Sequence, residues 1–410
     1  MYICSMPINY QEVYSQIQTI GAGAKERRKK KEDAQAEARR LLDRFGNQLD
    51  FLRAKVDSAK AVDANLRCAY PLDETLASSF DVQPVSITPT LTHRVATLIA
   101  ADGSQINPDR HASVQFGLIN VGAIIMKLNS GEAPTIATES ELLFGDDLLP
   151  NGIPMSDGMV ALKRDLAERI KLDELSKRFE GDIVTFTDGP IELWGAKGED
   201  ANSYEEFIKK YLSILSRLQS RGVTTAGYVD KPSADLVVRL LEIAMADNEQ
   251  IQKLREFHPL RGVRDRWLFG EKENPLLKPG HRSAVFRIQS SSEKNYKGVL
   301  GLHFFYLNVG TDAHPWPVRV EVPKWVVDNK EKLDLLHCVL IDQCRMMGNK
   351  PYPYLLNRAH EIAVVKHEEK QQIEQLLSIE IRRYGEEVDA PSNKQGGKDA
   401  LAGGRKRYKQ

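Results

Sequence analysis

Cysteine, net charge and long apolar runs are all scarce in this sequence, and each scarcity closes off a class of protein. Four cysteines in 410 residues are too few for a disulfide framework. Cys338 and Cys344 stand six apart in a helical pattern, which is not the spacing of zinc ligands. The longest apolar run, around Val121–Met126, falls far short of the ~18–20 residues a membrane helix needs. Met1–Val13 has no basic segment followed by an apolar core and a cleavage site, so no secretory signal is expected, and the expected setting is cytoplasmic with no membrane partner. Lys+Arg and Asp+Glu both number 57, a net charge of zero. Bulk electrostatics therefore gives no argument for a nucleic-acid partner, and any such binding has to come from a locally basic surface. What is left, 41% hydrophobic and 28% charged, is an ordinary globular chain, neither collagen-like nor wholly disordered. At ~100–200 residues per domain its length allows two or three domains, or one large domain with insertions.

The pattern along the chain divides it into a helical, basic N-terminal extension (1–65), a single α/β domain (66–385) and a Gly/Lys-rich tail (386–410) whose composition is that of disordered chain. In the extension, Lys25–Lys31 is a basic run. Ala34, Ala38, Leu41, Leu42, Phe45, Leu49 and Phe51 follow at helical spacing. Two readings stand for it: a solvated helix lying on the body or a partner, or an arm contacting phosphates. In the domain, Val95–Ala101 reads as a buried strand, with Ser113–Leu118 and Ile119–Leu128 as two more. Three strands so close together form a meander of hairpins, since parallel crossovers need more chain. Helices over Met159–Phe179, Tyr204–Arg221 and Pro232–Met245 then alternate with strands at Asp182–Thr187 and Thr224–Val229, a rhythm that makes strands parallel. The segment 264–280 reads as irregular. Further strands are expected at Ser283–Ile288, Leu300–Val309 and Val318–Val322, with helices at Asn329–Met347 and Tyr354–Tyr384. The expected fold is α/β: a mixed sheet flanked by helices.

Both apolar strands that open this pattern run into Asp-Gly, at Asp102-Gly103 and Asp188-Gly189. Either pair alone signals a turn. Together they place two carboxylates at the ends of neighbouring strands, where they can converge on a divalent cation. Hard oxygen ligands suit Mn²⁺ or Mg²⁺, and such a site positions water and stabilises the leaving oxygen of a phosphodiester. Glycine after each aspartate lets a phosphate backbone approach. A third carboxylate is needed. Glu168, on the helix that precedes the second strand, is the first candidate, and Glu139, Glu141 and Glu174 compete with it. His360, on the final helix, is a possible metal ligand or general acid, or a hydrogen-bonded structural histidine. Tyr352, held between two prolines, can hold a phosphate or the water. Arg282, in Gly280-His281-Arg282-Ser283, either grips a DNA phosphate bidentately, with Ser283 and Arg358 as further contacts, or forms a surface ion pair. Trp267, Phe269, Trp316 and Trp325 either stack on bases or fill the core.

In family order, Ala101-Asp102-Gly103-Ser104-Gln105, Thr187-Asp188-Gly189-Pro190, Thr225–Val229, Arg264-Asp265-Arg266, Pro279–Ser283, Arg319–Trp325 and Tyr352-Pro353 with Ala359-His360 make the sequence resemble the NurA nucleases over Leu91–Leu377. The resemblance implies a ribonuclease H-like fold. It implies a Mn²⁺-dependent 5′→3′ DNA exonuclease with single-strand endonuclease activity, processing DNA ends in double-strand break repair. It further implies a homodimer working beside a HerA-type hexameric ATPase. Carried over by residue, Asp102 and Asp188 match the metal aspartates, and His360 and Tyr352 match the C-terminal pair. Glu168 is placed only by the Arg164-x-x-x-Glu168 spacing, because the segment before Asp188 is longer than the family pattern. Rival functions are a non-catalytic DNA-end clamp or translocase adaptor and an RNA-directed hydrolase of the same fold.

Overall fold

The computed structural model describes residues 8–72, 95–193, 201–270 and 275–388; Cys4 and the tail beyond 388 lie outside them. In chain order the longer elements are α1 (Tyr10–Ala22), α2 (Ala24–Phe45), α3 (Leu49–Val62), β1 (Cys68–Pro71), β2 (Ala96–Ile106), β3 (Gly117–Lys127) and β4 (Thr135–Leu143). There follow α4 (Asp157–Ser176), β5 (Asp182–Asp188), α5 (Ala201–Ser220), β6 (Thr224–Val229), α6 (Leu236–Met245), β7 (Phe286–Gln289) and β8 (Leu302–Asn308). The chain closes with β9 (Pro317–Pro323), α7 (Lys330–Arg345), α8 (Tyr354–Ala363) and α9 (His367–Arg383). They belong to two compact units that the chain enters more than once. One is drawn from Met1–Gln83, Lys231–Ser291 and Phe304–Val318, the other from Pro84–Asp230, Ser292–His303 and Arg319–Gln410.

In the first unit α2 and α3 pack on α6, whose residues from Leu236 to Ala244 are all buried. Ala38, Leu41, Leu42 and Phe45 are buried as their spacing predicts. The helix nevertheless ends at Phe45. Leu52 rather than Phe51 faces inward on α3, and the Phe51 ring stacks on Phe45 with centroids 5.4 Å apart. Asp265 begins a one-turn helix (Asp265–Phe269) in the segment expected to be irregular. Its carboxylate accepts from the N–H groups of Val237 (2.9 Å) and Val238 (2.8 Å) and from the Tyr306 hydroxyl (2.7 Å). That satisfies donors which the start of α6 would otherwise leave open.

The second unit holds a mixed sheet in the order β9-β6-β5-β2-β3-β4. β2, β3 and β4 form the antiparallel meander, and β5 and β6 join β2 in parallel. Helix α4 makes the crossover from the meander to β5. The expected mixed sheet flanked by helices is therefore the one observed. Its meander is built differently from expectation. No turn separates Leu118 from Ile119, so Ser113–Leu128 yields one strand rather than two. The third is β4, an exposed edge strand whose Thr, Ser and Glu residues conceal its alternation.

The long helix expected over Tyr354–Tyr384 is also two helices. In a continuous helix the Ala363 carbonyl would accept from the amide four residues on. Instead it accepts from the Ser104 hydroxyl (2.5 Å) and the Asn120 amide (2.7 Å). The chain then restarts at α9, where Glu369 caps the Lys366 N–H at 2.7 Å. Cys68, Cys338 and Cys344 are buried.

Candidate active site

β2 does not stop at Asp102-Gly103; it runs on to Ile106 against β3. Its parallel neighbour does stop. The β2–β5 ladder ends at Ala101↔Thr187, and β5 ends at Asp188, where Gly189 turns the chain with φ +89°. Gly189 is thus the turn glycine its sequence suggested, whereas Gly103 is a strand residue kept small for packing. A Cβ there would lie 2.6 Å from Arg164 Cγ and 2.8 Å from Glu168 Oε1. Beyond Ala101, β2 has no partner on its β5 side, and groups from both faces of the sheet reach the gap. A cavity of about 390 Å³ results, lined among others by Asp102, Glu168, Asp188 and His360, with Arg164 and Arg169.

Each wall has a simple origin. Side chains alternate across a strand, so Asp102 and its cross-strand partner Gly122 point to one face and Gly103 to the other. α8 crosses the Asp102 face so closely that a Cβ at Gly122 would sit 2.6 Å from Ala363 N and 2.7 Å from Ala359 O. That approach brings His360 to Asp102, and its Nδ1–H donates to Asp102 Oδ2 at 2.7 Å. In the neutral ring the Nε2 lone pair is then left for a metal or a proton. α4 covers the Gly103 face with Glu168. Arg164 Nε stands 3.6 Å from the Glu168 carboxylate, beyond hydrogen-bond distance. Arg164 is itself turned to Asp165, 2.8 Å away.

Behind these groups Arg169 is buried and, among the described residues, bonded only to neutral oxygens. Its donors reach Thr187 Oγ1 (2.7 Å), Tyr211 Oη (3.1 Å) and Thr225 Oγ1 (3.3 Å). It therefore keeps a whole positive charge beneath the carboxylates. The Tyr352 hydroxyl lies beside Asp188 and favours its charged form, and its ring packs edge-on against Tyr228, centroids 5.6 Å apart.

The acids crowd one another. Burial pushes the Glu168 carboxyl well above the usual range, and the charges of Asp165 and Asp102 push it further against Arg164 and Arg169. Asp188 is an exposed residue, yet partial desolvation and the neighbouring Asp102 raise its pKa. The Tyr352 hydroxyl and Gly189 N–H bonds oppose that rise. Burial, with Asp188 and Asp102 close by, raises the Tyr352 phenol as well, so it stays a donor.

Asp102, Glu168, Asp188 and His360 thus share a cavity, and Tyr352 touches it through Asp188. Of the competing glutamates, Glu139 pairs with Lys171 at 2.7 Å and Glu174 stands 3.8 Å from the same lysine; neither they nor Glu141 line the cavity. Arg358, on α8 with His360, pairs with Glu361. Arg282 and Ser283 are buried in the other unit. The Ser283 hydroxyl is spent on backbone, donating to the Ala284 carbonyl (2.7 Å) and accepting the Tyr306 N–H (2.9 Å). Trp325 fills core and donates to the Val223 carbonyl at 2.9 Å. Sequence reasoning passed over Arg169. The available signal was a charged residue three after Leu166 and seven after Leu162, on the buried side of α4.

Among the described residues no three His, Cys, Asp or Glu side chains stand close enough together to hold a metal ion as they are. The donor chemistry still fits one. Three carboxyl groups and an imidazole border the cavity, and the Asp102 charge helps raise the pKa of both Glu168 and Asp188, an excess of negative charge that a hard divalent cation relieves.

The sequence profile of the NurA domain matches residues 96–365. No curated protein matches the sequence. Among solved structures the chain is similar to the NurA nuclease from Sulfolobus solfataricus, with 11% identity, 84% of this chain and 95% of that one covered, and a TM-score of 0.44. It is also similar to the catalytic domain of human endonuclease V, with 13% identity, coverage of 81% and 98%, and a TM-score of 0.32.

Proposed function

Because the chain belongs to the NurA family, we propose that it is a divalent-metal-dependent deoxyribonuclease. The observation that carries this reading is the meeting of Asp102, Glu168, Asp188 and His360 at one cavity where two parallel strands part. Asp102 and Asp188 would hold Mn²⁺ or Mg²⁺, with Glu168 and His360 completing the set. When bound, the cation supplies charge to offset that growing on the scissile phosphate and acidifies water. The protein's own groups do the rest. Asp102 fixes the His360 tautomer, leaving the Nε2 lone pair as the ligating atom. Tyr352 orients the Asp188 carboxylate. Arg169 keeps the acids ionisable from below, and Arg164 lies where a phosphate oxygen would enter. Arg358 would contact DNA from α8.

We further propose the family's finer properties for this chain: 5′→3′ exonuclease and single-strand endonuclease action on DNA ends in double-strand break repair, as a homodimer coupled to a HerA-type ATPase. The test uses purified protein, 5′- and 3′-labelled single- and double-stranded DNA and matched RNA, with each divalent ion, alone and with the ATPase. Mn²⁺-dependent loss of DNA from the 5′ end, with RNA spared, is expected. No cleavage under any ion, or equal cleavage by the Asp102→Ala and Asp188→Ala variants, would overturn the proposal.

A further inference from the structure

In the first unit three cations gather around one indole. Lys31 Nζ lies 3.3 Å from the centroid of the Trp267 ring, Arg266 Cζ 5.5 Å and Arg264 Cζ 5.9 Å from it. None of the three is paired with a carboxylate among the described residues, although their neighbours on α2 are. Arg28 pairs with Glu32 at 2.7 Å and Lys30 with Glu26 at 2.7 Å, each four residues along the same helix. Arg264 gives one donor to the Ser233 carbonyl, and Arg266 Nε is buried with no hydrogen-bond partner. Burial, then repulsion from Arg266 and Arg264, lowers the Lys31 pKa, and burial with Arg264 lowers that of Arg266. Left to themselves like charges spread apart. Here the fold holds them together around one aromatic ring, with the Arg266 Nε–H unpartnered.

We propose that Lys31, Arg264, Arg266 and Trp267 form a binding site for the phosphate backbone of a nucleic-acid strand. A phosphodiester brings paired acceptor oxygens of the kind a guanidinium binds and repeats its charge at each nucleotide, to match several cations at once. The inference rests on the nuclease reading only for the identity of the polymer. It gives part of the basic N-terminal helix, through Lys31, a contact with substrate.

The test is binding of dye-labelled single- and double-stranded DNA to the full-length protein without divalent ions, followed by fluorescence anisotropy across a salt series. Lys31→Gln and Arg266→Gln should each weaken binding several-fold and lower the slope of log affinity against log salt by about 1, as loss of one phosphate contact does. Arg266→Lys, which keeps the charge, should restore the slope. Thermal melting of Lys31→Gln should not fall below that of the parent, because the substitution relieves repulsion, whereas a purely structural cation–π contact would show as a loss. Unchanged affinity and slope in both glutamine variants would overturn the proposal. So would intact DNA binding with loss of binding to poly-glutamate, which would make the cluster a protein-docking site. A chain that binds DNA through this cluster but never cleaves it would sink only the nuclease reading; one that cleaves DNA while its binding ignores the substitutions would sink only this one.

Discussion

Glu168 and Asp265 are both buried carboxyls, and burial raises the pKa of both. Their surroundings differ. In the first unit Asp265 receives two backbone N–H groups and a phenol; these pull against the desolvation that pushes it to about 6. In the second unit Glu168 receives no hydrogen bond among the described residues, Arg164 stands 3.6 Å away, and its acidic neighbours add to the cost of its charge. The first is a finished structural joint that needs nothing more from solution. The charge of the second is costly, and a proton or a bound cation would relieve that cost, which is the character of a working group.

The sharpest way to break this comparison is to remove the acids that share the cavity. Asp102→Ala or Asp188→Ala should cut cleavage by ~10³-fold or more, with circular dichroism and melting close to the parent. Asp265→Ala should act the other way round. It strands two backbone donors and a tyrosine hydroxyl, so chemical denaturation should show a loss of about 3 kcal/mol, with the cleavage rate of the remaining folded protein unchanged.

Glu168→Gln tests the sign. A carboxyl raised by folding binds its proton more tightly in the native state, so stability is greatest below the unfolded value and falls as pH rises through the folded one. The glutamine variant should lose that fall and melt no lower than the parent at neutral pH without metal. It should also lose the rise in melting temperature that Mn²⁺ gives the parent, and cleave ~10²-fold more slowly. A variant that melts lower and still gains from Mn²⁺ would place Glu168 with Asp265 as a structural acid. The smallest effect is expected for Tyr352→Phe, about tenfold in cleavage rate, since it frees Asp188 to turn without removing it.

The repeating core was legible because its signals are local. The apolar run and Asp-Gly of β5, the strand Thr224–Val229 and the apolar face of α4 need no knowledge of the rest of the chain. The order of these elements was enough to make the Asp102 and Asp188 strands neighbours. Features set by distant partners were not legible. The break between α8 and α9 contains neither glycine nor proline; it exists because Ser104 and Asn120 take the Ala363 carbonyl. β4 hid behind exposed polar residues on a sheet edge, where burial does not enforce a pattern. The two units interleave segments from across the chain, and no linker composition announced it. Asp102-Gly103 was read as a strand end because Asp-Gly is a turn signal, and only the pairing with β3 shows that the strand continues.

Gly122 carries a consequence for how this protein can change. It faces Asp102 across the ladder and sits beneath α8, with no room for even one more carbon. The hydrogen atom there sets the clearance of the helix that delivers His360. An alanine at this position adds no charge and touches no reacting group, yet it would lift α8 as a shim lifts a beam and carry the imidazole away from its carboxylate. The freedom of this protein to drift is therefore narrower than its acidic residues alone suggest, because an inert position in mid-strand holds the imidazole to its mark.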